Sequence, residues 1–410
     1  MIVAQVGCKS NDSLAEKAVA FPFWVCYTKK KKKPNGREFP MTFKNIAYFN
    51  GSALVYGDVT VENGVITAAT VHGTHIPAGT DYLIPGLVDV HLHGNSGHDF
   101  SDGDAHGNAA MLRFLAQNGT LTCCPTTMAL PEEVLADACR AIIGTQPTDG
   151  ARVAGIHLEG PFFHPAKKGA QPACNLKHPD ANMILRLQEV AQGAVRILSF
   201  APELPGSGEM IATLKDKMVL SAAHTTADYD TAAAAIQAGI THVTHLFNAM
   251  PPLLHRDPGL IGAAAEAPQV NAELICDGIH VHPAMVRAAF SLFGADRICL
   301  ISDAMSACGM PNGNYSLGGQ AVQVTDGRAT LADGTLAGSA STLFFCLQQA
   351  IRFGIPAADA VKAATLNPAR VLGLDGEIGR VAPGYRADLL LCDSDWNLKQ
   401  VYLQGEALKA

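Results

Sequence analysis

The sequence lacks the features that mark membrane proteins, nucleic-acid-binding proteins and disulfide-stapled proteins. No apolar run in the 410 residues approaches the roughly 20 residues that a membrane-spanning helix requires. Charged residues make up only 16% of the chain and the formal net charge is −7, so the composition indicates no basic field for nucleic acid. The eleven cysteines include no Cys-x-x-Cys pair, and most lie within apolar stretches. We therefore expect a soluble protein of a reducing cytoplasm that binds neither membranes nor nucleic acid.

The first forty residues differ in character from the rest. Five lysines stand together at 29–33, and the segment lacks the basic start, apolar centre and small-residue cleavage site of a signal peptide. Met41 opens a stretch that is typical of a strand followed by a turn. We interpret residues 1–40 as a non-native or disordered extension, with Met41 as the natural start. A targeting role is the alternative.

Short β-prone runs occur at both ends of the remaining chain. Residues 43–82 alternate such runs with Asn-Gly turns at 50–51 and 63–64, a pattern that is typical of hairpins. Similar runs return at 379–403. The sequence therefore predicts one small β-sandwich domain that is built from residues 41–84 and 371–410.

Between these regions, residues 85–370 alternate apolar runs suited to buried parallel strands with helical stretches. The predicted strands are 87–93, 120–126, 152–159, 195–201, 218–224, 241–247, 272–278 and 298–303. The predicted helices include 105–117, 131–143, 180–191, 229–238 and 283–293. This repetition predicts an α/β fold, a (β/α)8 TIM-like barrel, with a doubly wound open sheet as the alternative.

Polar side chains that are unusual in a core stand at the predicted ends of five strands. They are His91 and His93 after the first strand, Glu159 after the third, His224 after the fifth, His245 after the sixth and Asp303 after the eighth. The carboxyl ends of barrel strands meet at one mouth, and the two imidazoles of His-x-His share a strand face. A single histidine could be a satisfied core residue, but the shared pattern favours a site for one or two divalent cations.

A carboxylate on the last strand suits proton transfer at such a site. A metal ion lowers the pKa of its bound water to about 7, so a neighbouring carboxylate can take the proton and return it to a departing amine. Asp303 could bind metal or act as this shuttle, and we assign it the shuttle. His157 is interpreted as a structural residue of the barrel layer below the mouth. The predicted chemistry is hydrolysis rather than redox chemistry.

Five segments, which contain the polar residues at the strand ends other than His224, form a specific pattern. They are 85–94 (PGLVDVHLHG), 157–162 (HLEGPF), 244–250 (THLFNAM), 277–282 (DGIHVH) and 302–305 (SDAM). Together they resemble the amidohydrolase superfamily and, within it, the N-acetylglucosamine-6-phosphate deacetylases, over about residues 41–410. Many members of the superfamily bridge two metals with a carboxylated lysine after strand four. This chain instead has a glutamate after strand three, as in the sugar-phosphate deacetylases.

The resemblance implies a principal metal held by Glu159, His224 and His245, with Asp303 as general base and then acid. Some family members lack the His-x-His pair and use one metal, whereas this chain keeps His91 and His93 and so has ligands for a second. We expect zinc, with iron as the alternative, because nitrogen and oxygen ligands discriminate poorly between these ions.

The resemblance also implies a sugar-phosphate pocket. Its residues are Ala170, Gln171, Asn248, Ala249, Arg256, Asp277, Gly278, Ile279, His280, Leu336, Ala337 and Gly338. Arg256 is the expected phosphate ligand because a guanidinium pairs bidentately with phosphate oxygens, and a surface salt bridge to Asp257 is the alternative. The family often forms homodimers in which such an arginine reaches the neighbouring pocket, so we expect a homodimer.

One residue departs from the family's pattern. Some members place a histidine that polarises the acetyl carbonyl at the position of Gln171. Gln171 can donate a hydrogen bond but carries no charge, so carbonyl activation would fall more heavily on the metal. A loop-capping role is the alternative.

The implied activity is the removal of acetate from N-acetylglucosamine 6-phosphate to give glucosamine 6-phosphate. Three alternatives stay open from sequence. One is the same reaction on the galactosamine epimer, and another is a different amidohydrolase such as a dihydroorotase-like cyclic amidase. The third is an inactive barrel that serves as a scaffold or binding protein, because a fold alone never proves activity.

Overall fold

The computed structural model describes residues 40–409. Our interpretation of residues 1–40 therefore lies outside the described residues, except for Pro40. Within the described part of the chain, no helix combines the length and the apolar character that a bilayer span requires. The cysteines of this part are all free, and all but Cys174 are buried.

The described chain contains strands at both ends and alternating strands and helices between them. The strands are β1 (Met41–Phe49), β2 (Leu54–Glu62), β3 (Val65–Gly73), β4 (Tyr82–Pro85), β5 (Leu87–Leu92), β6 (Gly94–Asn95), β7 (His98–Asp99), β8 (Thr120–Thr127), β9 (Arg152–Val153), β10 (Ile156–Glu159), β11 (Val195–Phe200), β12 (Val219–Ala222), β13 (His242–Val243), β14 (Asn271–Ile275), β15 (Ile298–Ile301), β16 (Gly313–Leu317), β17 (Gln320–Thr325), β18 (Arg328–Thr330), β19 (Leu389–Cys392), β20 (Leu398–Leu403) and β21 (Glu406–Ala407). The helices are α1 (Ala105–Gln117), α2 (Glu132–Gly144), α3 (Ala181–Val190), α4 (Ser207–Leu214), α5 (Tyr229–Ala238), α6 (Gly259–Glu266), α7 (Pro283–Phe293), α8 (Leu343–Arg352), α9 (Ala357–Ala364) and α10 (Leu366–Val371).

Strands from the two ends of the described chain pair in one sheet. The order is β21-β20-β19-β4-β1-β2-β3, with β1 and β4 parallel and the other neighbours antiparallel. The sheet curls, so that the N–H of Ile66 in the edge strand β3 donates to the carbonyl of Tyr385, four residues before β19. Tyr48, Val59 and Leu83 belong to the apolar cluster that these strands bury. The predicted β module from both ends is confirmed, and its strands form a single curled sheet.

The central strands form the predicted barrel. Eight parallel strands follow one another in chain order, β5-β8-β10-β11-β12-β13-β14-β15, and each overlaps a predicted strand. The last strand, β15, is joined to the first, β5, by hydrogen bonds from the residues that follow β15. The N–H of Asp303 donates to the carbonyl of His91 at 3.0 Å, and Ser302 Oγ donates to Asp89 Oδ2 at 2.5 Å. The barrel is therefore nearly closed, and the open-sheet alternative is wrong.

The helices that cover the barrel begin where the sequence supplies a cap. Asp104, Asp180 and Asp228 accept hydrogen bonds from first-turn N–H groups of α1, α3 and α5, which satisfies donors that have no partner inside the helix. The five predicted helices correspond to α1, α2, α3, α5 and α7. An antiparallel sheet of β16, β17 and β18, which the sequence did not predict, is inserted after the last barrel strand.

Candidate active site

The six polar side chains predicted at strand ends meet at one place in the barrel. None is more than 8% exposed. Their ligand atoms fall into two groups that could each hold a metal ion. We name Glu159, His224 and His245 the glutamate–histidine group, and His91, His93 and Asp303 the His-x-His group.

The glutamate–histidine group converges from three different strands. Glu159 Oε1 lies 3.2 Å from His224 Nε2 and 3.1 Å from His245 Nε2. The two Nε2 atoms are 3.1 Å apart. Three ligand atoms thus surround one small space.

The His-x-His group lies beside it. The Nε2 atoms of His91 and His93 are 3.3 Å apart, and Asp303 Oδ1 lies 3.5 Å from the first and 3.4 Å from the second. Glu159 Oε2 lies 3.4 Å from His93 Nε2, so this carboxylate stands between the two groups. A carboxylate in that place could bridge two cations.

The tautomers of two histidines fit a cation. His224 Nδ1 is 2.8 Å from the carbonyl of Lys167, and His91 Nδ1 is 2.8 Å from Glu273 Oε2. Both partners are acceptors, so each Nδ1 carries the proton and each Nε2 can turn a lone pair toward the shared space. Imidazole nitrogens and carboxylate oxygens are ligands that zinc and iron accept. The donor set therefore fits one or two divalent cations.

The electrostatics favour positive charge in the same space. Burial lowers the pKa of His91, but the carboxylates of Glu273, Asp303 and Glu159 outweigh it and raise the pKa to about 9. Burial likewise opposes ionisation of Asp303, yet the charge of His91 and a hydrogen bond from His93 hold its pKa below the ordinary value. Without a cation the site thus retains a proton, and Asp303 is a carboxylate that can accept one.

Three of the six residues have an unusual backbone conformation. The φ angles are 47° at His224, 32° at His245 and 47° at Asp303, which lie in the left-handed region. Each residue follows the end of its barrel strand by two positions. A non-glycine residue in this region costs roughly 1–3 kcal/mol and is retained where surrounding structure enforces it, often at functional sites.

Gln171 lies against the glutamate–histidine group. It is 2% exposed, and its amide nitrogen donates to Glu159 Oε2 at 2.5 Å. Its amide oxygen accepts from the N–H of Ala129 at 2.8 Å. Both ends of the amide are therefore engaged within the protein, and one of them orients Glu159.

A cavity of about 500 Å³ opens above the two groups. The predicted substrate residues that line it are Ala170, Gln171, Asn248, Ala249, His280, Leu336 and Gly338. Sequence reasoning did not assign the other lining residues, which are Met128, Pro165, Ala166, Lys167, Lys168, Gly169, Leu317, Asp333 and Thr335. The adjacent lysines Lys167 and Lys168 could have been predicted from the sequence as cavity residues, because an anionic substrate needs cations close by.

The remaining members of the predicted Asp277 to His280 motif stand behind the cavity. Asp277 Oδ2 lies 2.7 Å from His280 Nδ1, and Asp277 Oδ1 accepts from the N–H groups of Ile279 and His280. Asp277 thus holds the ring of His280 in place. Within the described chain, the residues that line the cavity do not include the predicted substrate residues Asp277, Gly278, Ile279 and Ala337.

Arg256 is not brought to the cavity of its own chain. It is exposed, and its Nη1 lies 2.8 Å from His255 Nε2. Within residues 40–409 its polar neighbour is His255 rather than Asp257, and the surface salt bridge stays a prediction. The expectation that it serves a neighbouring subunit stays a prediction.

His157 is held as a core residue. Its Nδ1 lies 3.0 Å from the Val90 carbonyl and its Nε2 lies 2.6 Å from Ser199 Oγ. Burial lowers its pKa to about 3. It lies within ligand distance of His91 and Glu273, but both of its nitrogens are occupied, in agreement with a structural role.

Sequence reasoning missed Glu273 and His242, which lie behind His91. Both side chains are fully buried, and Glu273 Oε1 lies 3.1 Å from His242 Nε2. A glutamate inside the apolar strand β14 was the available signal, because a buried carboxylate needs partners.

A nearly closed barrel that gathers buried nitrogen and oxygen ligands at its strand ends defines the class of metal-dependent barrel hydrolases. The profile of the amidohydrolase family matches residues 82–408, and the chain belongs to this family.

The individual relatives reported below are deacetylases of amino-sugar phosphates. The chain is 35% identical over 330 residues to N-acetylgalactosamine-6-phosphate deacetylase of Escherichia coli O157:H7, covering 80% of this chain and 87% of the relative. It is 34% identical over 370 residues to N-acetylglucosamine-6-phosphate deacetylase of Bacillus subtilis (strain 168), covering 87% and 93%. A solved mutant of N-acetyl-D-glucosamine-6-phosphate deacetylase from Mycobacterium smegmatis, in complex with N-acetyl-D-glucosamine-6-phosphate, matches with a TM-score of 0.84 at 33% identity, covering 90% and 100%.

Proposed function

We propose that the chain removes acetate from N-acetylglucosamine 6-phosphate, giving glucosamine 6-phosphate in amino-sugar catabolism. The observation that carries the proposal is the convergence of the two ligand groups beside one cavity, which five of their six residues line. Relatives named for this reaction cover most of the chain, which supports the choice of substrate. A scaffold without activity would have no need to keep six buried ligands together.

A divalent cation bound by these residues supplies Lewis-acid polarisation of the acetyl carbonyl and lowers the pKa of water. Glu159, His224 and His245 would hold the principal cation, and His91 and His93 a second. Asp303 takes the proton of the attacking water at Oδ1. The oxygen of that water bonds to the acetyl carbon, Asp303 gives the proton to the leaving nitrogen, and the C–N bond breaks to release acetate and the free amine.

The rest of the cavity would bind the sugar and its phosphate. Asn248, Ala249 and His280 line the cavity and would contact the sugar, and Lys167 and Lys168 are the cations among the described residues that line it. Arg256 would reach the phosphate in the neighbouring subunit's cavity. The proposal therefore includes a homodimer.

Zinc is our first choice of cation and iron the second, because the imidazole and carboxylate ligands accept both. We place the enzyme in the cytoplasm. The buried free thiols support that placement, because free cysteines persist in a reducing compartment.

The test is a comparison of kcat/KM on the two epimeric substrates. The zinc-loaded and iron-loaded proteins are assayed for acetate release from N-acetylglucosamine 6-phosphate and N-acetylgalactosamine 6-phosphate, with unphosphorylated N-acetylglucosamine as control. We expect the glucosamine epimer to be preferred and the unphosphorylated sugar to be poor. A galactosamine preference would favour the second candidate, which the 35% identical relative supports. Absence of acetate release from both epimers would refute the proposal.

A further inference from the structure

Glu273 is a buried carboxylate outside both ligand groups. It lies on β14, is 0% exposed and has Ala272 and Leu274 as apolar neighbours in the strand. Removing a carboxylate from water costs several kcal/mol unless it is paired and hydrogen bonded. The contacts of Glu273 must therefore offset that cost, and they point to its role.

One oxygen of Glu273 contacts both ligand groups. Oε2 lies 2.8 Å from Nδ1 of His91, which belongs to the His-x-His group. The same atom accepts at 3.1 Å from the N–H of His245, which belongs to the glutamate–histidine group. The side chain of one ligand and the backbone of another thus share a single acceptor.

The other oxygen is fixed from behind. Oε1 lies 3.1 Å from His242 Nε2. His242 Nδ1 has no hydrogen-bond partner among residues 40–409, so the ring proton belongs on Nε2, where it is donated to Glu273. His242 therefore leaves the carboxylate little freedom to turn away from His91.

We propose that Glu273 is a positioning residue that sets the cation affinity of the His-x-His group and ties its geometry to the glutamate–histidine group. The inference rests on the proposed metal-dependent function. A carboxylate that accepts from the far nitrogen of a metal-binding histidine fixes its tautomer and orientation and makes it a more basic ligand. Glu273 has this relation to His91, which is 182 residues away in sequence.

The alternative is that Glu273 only stabilises the barrel. Glu273→Gln separates the two roles, because the amide is almost the same shape. Its carbonyl oxygen can still accept from His91 and His245, and its amide nitrogen faces His242, whose other tautomer can accept. The substitution removes the charge while it keeps the packing.

The experiment measures cation binding by the full-length chain. The protein is stripped with a chelator and titrated with Zn²⁺ by calorimetry, and bound zinc is counted by mass spectrometry. Co²⁺ loading adds a ligand-field spectrum that reports the geometry of each site. We expect two zinc ions in the wild-type chain. In Glu273→Gln we expect the zinc affinity of the His-x-His group to fall roughly 10–100-fold, the usual effect of losing such a hydrogen-bond partner. The zinc affinity of the glutamate–histidine group should stay unchanged.

Asp388→Asn is the matched control, because Asp388 is also a buried carboxylate, 5% exposed and paired with Arg386, in the curled sheet. It should bind both zinc ions with wild-type affinity. If Glu273→Gln fails to fold, His242→Gln loosens Glu273 without touching either ligand group and should give a smaller weakening of the same site.

Two outcomes overturn the inference. One is a Glu273→Gln protein that binds both zinc ions with wild-type affinity, and the other is a wild-type chain that binds only one. Failure of the proposed function is distinguishable, since it would be a wild-type chain that binds both zinc ions but releases acetate from neither epimer.

Discussion

The two ligand groups are alike in composition but differ in what supports them. The glutamate–histidine group is supported by the loop after the third barrel strand. In that loop the carbonyl of Lys167 accepts from His224, and the side-chain amide of Gln171 donates to Glu159. The His-x-His group is supported from inside the barrel, because Glu273 accepts from His91. The loop also lines the cavity, whereas Glu273 does not. The difference teaches that a bound substrate can disturb the residues that support the first group directly, whereas it can reach Glu273, which supports the second, only through the barrel.

Removing the carboxylate between the groups should have the largest effect. In Glu159→Ala the principal cation would lose a ligand and the carboxylate between the two groups would be removed, so Lewis-acid stabilisation worth several kcal/mol should disappear and kcat/KM should fall by about 10³-fold or more. Acetate release and metal counting measure this. Glu189→Ala changes an exposed glutamate on α3 and should behave as the wild type. If Glu159→Ala retained both cations, the two groups would not share this residue.

A substitution of Asp303 tests whether this residue of the His-x-His group transfers protons or binds a cation. Asp303→Asn should lower kcat by about 10²–10⁴-fold, since a positioned acid–base group contributes that much, and should leave the metal content intact. The measurement is kcat together with the zinc count. Substantial activity in the variant would remove Asp303 from the proton-transfer role, and loss of zinc would make it a ligand.

His93→Asn separates the groups. We expect one cation to be lost and the glutamate–histidine cation to stay, because His93 contacts that group only through Glu159 Oε2. Since one ligand group remains, kcat/KM should fall only by about tenfold, which is about 1.4 kcal/mol of barrier. Loss of both cations would show that the groups form a single unit.

Gln171→Ala sharpens the role of the loop. The substitution removes the donor to Glu159 and leaves the N–H of Ala129 without its acceptor, a cost of about 1–3 kcal/mol in stability. We expect a few-fold change in zinc affinity of the glutamate–histidine group, read by titration. Gln171→His, with a ring donor in place of the amide, should restore more of the affinity than alanine does.

The pH dependence of stability tests how fully His157 is buried behind the His-x-His group. The centroid of its ring lies 4.7 Å from that of His91. Its pKa is about 3 when folded and 6.5 as a free side chain, so between these values the unfolded state binds the additional proton. The free energy of unfolding should therefore fall as the pH drops below 6.5, with roughly 2 kcal/mol from this residue between pH 7 and pH 5. Denaturant unfolding of the chelated protein and of His157→Gln measures it. The inference fails if both proteins have the same pH dependence over that range.

Much of this arrangement could be predicted from sequence. Apolar runs of strand length located all eight barrel strands, and polar residues at their ends located both ligand groups, because strand parity and barrel geometry act over short stretches. Glu273 escaped because its partner His91 lies 182 residues away and no local pattern connects them. The β16–β18 insertion escaped because its strands are short and half exposed. Arg256 was expected at the phosphate, yet within one chain its neighbour is His255.

The left-handed backbone at His224, His245 and Asp303 makes the thermal stability of the protein depend on how much metal it binds. Those conformations lower the stability of the bare polypeptide, and substitution by glycine would relieve them only by discarding the side chains that the site needs. An ion that binds the folded form alone compensates by mass action, in proportion to the logarithm of its free concentration. The melting temperature of this protein should therefore follow the supply of metal in its surroundings.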